Sequence, residues 1–179
     1  MIFTNARLIF PDGVRERFEI LESGGKICGI RAAGHYPEPE AYDLRGNYLA
    51  PGFIDLHVHG ARGRDAMEAT TEAFRDICAY HASGGTTSLL LTTATAPLPQ
   101  IMAVLEAVRG SMPQMPQLAG VHVEGPFVSA DRAGAQRKEF IRAPDEAAIA
   151  SLLEFADVMK RITLAPELPG AIPLAGSRK

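Results

Sequence analysis

After Pro51 the sequence alternates between two kinds of segment. Short apolar runs, "GFIDLHV", "TTSLLLTT", "LAGVHVEG" and "RITLAP", are separated by stretches with a helical period. A run that is apolar almost throughout, rather than at every second residue, has both faces buried, which is the habit of parallel strands covered by helices. The intervening segments supply those helices. In "ATTEAFRDICAYHASGG", Phe74, Ile77, Cys78 and His81 share one face, Thr70 or Thr71 caps the start and Gly84 stops it. In "PLPQIMAVLEAVRG", Ile101, Val104, Leu105 and Val108 do the same, and a third helix is predicted over "PDEAAIASLLEFADVMK". The pattern is that of an α/β fold made of repeated βα units on a parallel sheet.

Residues 1–50 follow a different rule. "ARLIF" leads into a turn at Pro11–Gly13, "RFEILESGGKICGIRAAG" reads as two strands joined near Ser23–Gly25, and "YDLRGNYLAPG" adds a short strand. No helix is predicted there. The expected division is a small β-rich unit over 1–50 and an α/β unit over 51–179. The tail "LPGAIPLAGSRK" shows no strand–helix pattern.

The bulk properties narrow the partners. A net charge of −3 offers no electrostatic footing for nucleic acid or an anionic membrane. No apolar stretch approaches the roughly 18 residues a membrane helix needs. The N-terminal "MIFTNARLIFPDG" has no basic region followed by an apolar core, so no signal peptide is expected. Cys28 and Cys78 fall in different elements, which suits two reduced thiols in the cytoplasm.

The chemistry sits where the apolar runs end. Residues two apart on a strand face the same way, so His57 and His59 project together, with Asp55 on their side. They fall at the C-terminal end of the run, where parallel α/β folds place their sites. Two adjacent imidazoles suit a borderline cation such as zinc. The third run repeats the arrangement with His122 and Glu124. A carboxylate there needs a cation or strong donors to offset its desolvation. Gly60 lets the chain turn sharply away. In "ADRAGAQRKEFIR", Arg132, Arg137, Lys138 and Arg142 form either a solvated loop face or a phosphate contact.

"APGFIDLHVHG", "GGTTSLLLTT", "GVHVEGPF" and "TLAPE", in that order, resemble the N-acetylglucosamine-6-phosphate deacetylases of the amidohydrolase superfamily. The H-x-H after "PGFID" is general to the superfamily. "HVEGPF", with a Gly-Ala step twelve residues on from His122, is specific to the deacetylases. The resemblance implies the first four βα units of a (β/α)8 barrel beside a small β-sandwich. It also implies hydrolysis of the acetamide of an N-acetyl amino-sugar 6-phosphate, with release of acetate. His57, His59 and Glu124 would be metal ligands, with zinc the expected ion. Ala135 and Gln136 would contact the sugar. The partners implied are a small amino-sugar phosphate and, because four strands leave two open edges, a second copy of the chain in a homo-oligomer, a dimer of half-barrels.

Two departures from the family pattern stand out. Gln136 replaces the histidine that usually ends the Lys-Gly-Ala-His loop, which implies either an altered sugar preference or a tolerated exchange. A full barrel takes about 250 residues, so the catalytic aspartate and two further metal histidines belong to later strands, and no catalytic residue is assigned within this chain. His81 is expected in the core, and Glu167 is the one other carboxylate near a strand end. Two alternatives stay open: a non-catalytic half-barrel that binds metal or sugar phosphate, and an amidohydrolase of another substrate class.

Overall fold

The computed structural model describes residues 1–34 and 41–176. His35 lies outside the described residues. The chain divides into two compact units, Met1–Pro51 and Gly52–Lys179.

In the first unit, β1 (Ile2–Phe10) pairs antiparallel with β2 (Gly13–Ser23), and β2 with β3 (Lys26–Ala32). On its other side β1 pairs in parallel with β4 (Ala41–Asp43) and then β5 (Tyr48–Leu49). The β2–β3 connection is a two-residue hairpin whose Gly24 and Gly25 both take positive φ, 59° and 77°, the conformation such loops demand. The single strand expected over "YDLRGNYL" is two short ones. Arg45 and Gly46 turn left-handed between them, and Asp43 Oδ1 accepts the Arg45 N–H at 2.8 Å. Ala6, Leu8 and Ile20 form the small core. The sandwich implied by the resemblance needs a second sheet. The described strands of this unit form one, because β1 takes partners along both edges.

The second unit starts with β6 (Phe53–Val58). A two-stranded hairpin follows, β7 (Gly60–Ala61) and β8 (Arg64–Asp65), and then α1 (Thr71–Ser83), β9 (Thr86–Thr92), α2 (Leu98–Ser111), β10 (Leu118–Glu124), α3 (Glu146–Leu153), β11 (Met159–Thr163) and α4 (Ala171–Gly176). The sheet order is β11-β10-β9-β6, every pair parallel. The Thr70 hydroxyl caps α1 by accepting the Ala73 N–H at 3.2 Å. Phe74 and Ile77 of α1, and Ile101, Val104, Leu105 and Val108 of α2, are buried against Leu89, Leu91, Val121 and Val123 of the two central strands. His81, expected in that core, is only half-buried.

Three expectations change here. The run in β6 is not covered: Phe53, Ile54 and Leu56 are 68%, 70% and 49% exposed. β6 is the sheet edge, and β9 alone pairs with it among the described strands. The third helix stops at Leu153, short of the stretch predicted for it. Arg109 of α2 donates to the Glu154 carbonyl at 2.7 Å and grips both Asp157 oxygens at 2.6 and 3.0 Å, so the chain turns and Met159 enters β11. The tail carries a short helix, α4, with Ala171 and Leu174 buried and Pro173 within its first turn, where proline is tolerated. Among the described residues no helix is long and apolar enough to cross a membrane.

Both cysteines are free. Cys28 is exposed, whereas burial pushes the Cys78 thiol up to about 11. An aromatic disulfide reagent at pH 8 is therefore expected to modify one thiol quickly in the folded chain, at Cys28, and the second only in denaturant. Two fast thiols would mean that α1 is not packed as described.

Candidate metal centre

The C-terminal ends of β6, β9, β10 and β11 lie along one rim of the parallel sheet. Thr92, the last residue of β9, fixes the end of β6 twice. Its hydroxyl accepts the Val58 N–H at 2.9 Å, and its carbonyl lies 3.2 Å from Nδ1 of His59. A carbonyl only accepts, so the hydrogen of His59 sits on Nδ1 and its lone pair, when neutral, on Nε2. That Nε2 lies 3.0 Å from Oε2 of Glu124. Two acceptors at this distance repel unless a proton or a metal ion lies between them.

The chain around His59 is held tightly. Its carbonyl accepts the N–H of the buried Ala66 at 2.7 Å. At Gly60 a Cβ would come within 2.0 Å of the Arg64 carbonyl, so the return of the β7–β8 hairpin requires glycine. Arg64 ties that hairpin to Glu68, in the turn before α1, at 3.1 Å and to Glu72 and Asp76 of α1 at 2.6 and 3.0 Å. Glu124 is bracketed by Thr93, whose hydroxyl accepts its N–H at 3.1 Å and donates to its carbonyl at 3.3 Å. Gly125 then turns the chain away with a φ of +73°.

His57, His59 and Glu124 each offer a ligand atom, and these atoms lie within 4.8 Å of one another. Donors bound to one zinc ion at about 2.0–2.2 Å sit roughly 3.4 Å apart in a tetrahedron, so the three residues fit a divalent cation. The two imidazoles meet edge to face, centroids 4.7 Å apart. Asp55 does not join them; its Oδ1 accepts the His57 N–H at 3.0 Å. His122 lies behind His57, with Nδ1 3.2 Å from the Nδ1 of His57 and Nε2 2.7 Å from Oγ1 of Thr163. Burial, reinforced by the Arg161 guanidinium, lowers the pKa of His122 to about 4, so this ring is neutral near pH 7.

The three potential ligands open onto a cavity of about 610 Å³ that Ala135 and Gln136 also line. Gln136 Oε1 accepts the Thr95 N–H at 2.9 Å, which leaves the amide NH₂ as a donor for a ligand. Of the four cations in the 130–142 loop, only Arg132 lines the cavity, and it makes no ion pair among the described residues. Arg137 pairs with Glu139 at 2.8 Å and Arg142 with Asp145. Glu167 reaches the rim. The framing threonines, Thr92, Thr93 and Thr163, escape a reading of the sequence. Their only signal is hydroxyls at the ends of otherwise apolar strands.

A family profile described as "Amidohydrolase family" matches residues 48–178. The chain belongs to that family. It is 33% identical over 176 residues to the N-acetylglucosamine-6-phosphate deacetylase of Lysinibacillus sphaericus, covering 96% of this chain and 46% of that protein. It is 40% identical over 165 residues to the Bacillus subtilis (strain 168) protein of the same name, covering 83% of this chain and 41% of the relative. The crystal structure of N-acetylglucosamine-6-phosphate deacetylase from Pasteurella multocida superposes with a TM-score of 0.87 at 33% identity, over 94% of this chain and 45% of that one. The chain thus spans about half the length of the relatives it matches.

The turn after Glu124 can be tested by contrast with a second glycine. A Cβ at Gly125 would lie 2.1 Å from Thr95 Oγ1 and 2.9 Å from Thr95 Cα, whereas at Gly134 (φ +59°) it would meet open space. Gly134→Ala should cost about 1–2 kcal/mol from backbone strain alone. Gly125→Ala should cost about 2–5 kcal/mol with the overlap added. Guanidinium unfolding measures both, and equal costs would show that Thr95 does not press on this turn.

Proposed function

We propose that the chain is the metal-holding part of an amidohydrolase that removes the acetyl group from an N-acetyl amino-sugar 6-phosphate, leaving the free amine and acetate. The observation that carries this reading is the meeting of His57, His59 and Glu124 at one cavity, with the His59 lone pair facing a carboxylate. The names of the relatives supply the substrate class. The four parallel strands from β6 to β11 support reading residue 52 onward as the first four βα units of a (β/α)8 barrel.

His57, His59 and Glu124 would hold the divalent ion, zinc by the chemistry of the donors. When bound, such an ion polarises an amide carbonyl and lowers the pKa of water. The chain's own part is to position the sugar. The Gln136 NH₂ donates to a sugar hydroxyl beside Ala135, and Arg132 receives the phosphate dianion in bidentate fashion. Among the described residues no aspartate lines the cavity, which supports a general base supplied by a later strand. Cys28 and Cys78, both free, support a reducing cytoplasmic setting.

Zinc titration against a competing chelator is the direct test. The chain should bind zinc, and Glu124→Ala or His59→Ala should weaken binding at least about tenfold while the far-ultraviolet spectrum is retained. Any acetate release from N-acetylglucosamine 6-phosphate should vanish in the same two variants. Zinc binding without any acetate release would favour a metal-binding half-barrel with no catalysis. Arg132→Ala should weaken binding of N-acetylglucosamine 6-phosphate and leave binding of N-acetylglucosamine unchanged; an equal loss for both would remove Arg132 from phosphate recognition.

The exposed apolar row of β6 supports a homodimer. Light scattering after size exclusion should give twice the chain mass, and a clean monomer would count against it.

A further inference from the structure

We infer that His122 is a positioning residue, which holds His57 in the tautomer with hydrogen on Nδ1 and so presents its Nε2 lone pair to an ion. The inference rests on the reading of His57 as a metal ligand.

The two Nδ1 atoms are 3.2 Å apart, so one ring donates and the other accepts. The second nitrogen of His122 is 2.7 Å from the Thr163 hydroxyl, which could serve either way. The direction is decided at His57. With its Nδ1 against His122, only Nε2 is left to bind an ion, and a lone pair at Nε2 requires the hydrogen on Nδ1. His122 then accepts at Nδ1 and donates from Nε2 to Thr163 Oγ1. The hydrogen bonds run one way, from β6 through β10 to β11. His122 is 1% exposed, so no water competes for either nitrogen.

His59 gains the same tautomer from the Thr92 carbonyl. The two ligands differ in how firmly this is set. A carbonyl cannot reverse its role, whereas the His122–Thr163 pair can. His57 is therefore the ligand whose readiness depends on its neighbours.

Two-bond ¹⁵N–¹H spectra of the metal-free chain, labelled at histidine, read the tautomers directly. His57 should carry its hydrogen on Nδ1 and His122 on Nε2; the opposite pair in the unsubstituted chain would overturn the inference. His122→Leu should release His57 toward the Nε2–H form and weaken zinc binding about 10–100-fold. Unchanged affinity in a folded His122→Leu chain would also overturn it. Thr163→Val should shift His57 in the same direction, with Thr163→Ser restoring it, and this pair decides the matter if His122→Leu does not fold. A parent chain that binds no zinc would defeat the metal reading, while the metal-free tautomers would still decide the role of His122.

Discussion

In the larger unit, β9 and β10 are covered on both faces, with Leu89, Leu91, Val121 and Val123 fully buried. An unpartnered polar side chain in the middle of such a strand would lose its hydration with nothing in return. The polar groups of this sheet are therefore crowded to the strand ends, where Thr92, Thr93, His122 and Glu124 follow directly on the leucines and valines. Placement of the site follows from that. Parallel pairing brings those ends to one rim, and helices α1 and α2 close the flank with mainly apolar side chains. Among the described residues, the cavity at the rim is the one place in this unit where two imidazoles and a carboxylate meet and still touch solvent.

At that rim the geometry is held by small hydroxyl groups rather than by charge. Thr92 and Thr93 each make two contacts, hydroxyl and carbonyl in one case, donor and acceptor of a single hydroxyl in the other. Both are fully buried. Hydrogen bonds in such a setting compete with no water, and removing one partner leaves the other unpaired at a cost of about 1–3 kcal/mol. The ion pairs of Arg64 and Arg109 are more exposed, and each is individually weak. Their value lies in geometry: one shapes the hairpin after His59, the other ends α3.

Periodicity made much of this legible. The faces of α1 and α2 repeat every three to four residues, and six of the seven apolar residues read from that spacing as core are fully buried; Cys78, the seventh, is buried too. His57, His59 and Glu124 were legible as a set because each ends an apolar run. What the sequence could not show depends on contacts between distant residues. Arg109 stops α3 across 48 positions, and no local pattern announces that. The exposure of Phe53 and Ile54 depends on β6 lying at the sheet edge, a property of strand order rather than of composition. Thr92 and Thr163 read as ordinary strand residues until their neighbours are in place.

A ligand set of His57, His59 and Glu124, as proposed, would also couple the sheet to the ion. His57 and His59 belong to the end of β6, and Glu124 to β10, with β9 between them. An ion held by all three would join strands that are not neighbours. β6 is an edge of the sheet, pairing only with β9 among the described strands and leaving Phe53, Ile54 and Leu56 in solvent. Binding energy that is available only when β6 is docked adds to the stability of that docking, by about 2.7 kcal/mol at a hundred times the dissociation constant. The same coupling runs in reverse. Anything that covers the open side of β6 restricts its motion and holds His57 against His122, so that closure of the sheet edge and affinity for the ion should rise together.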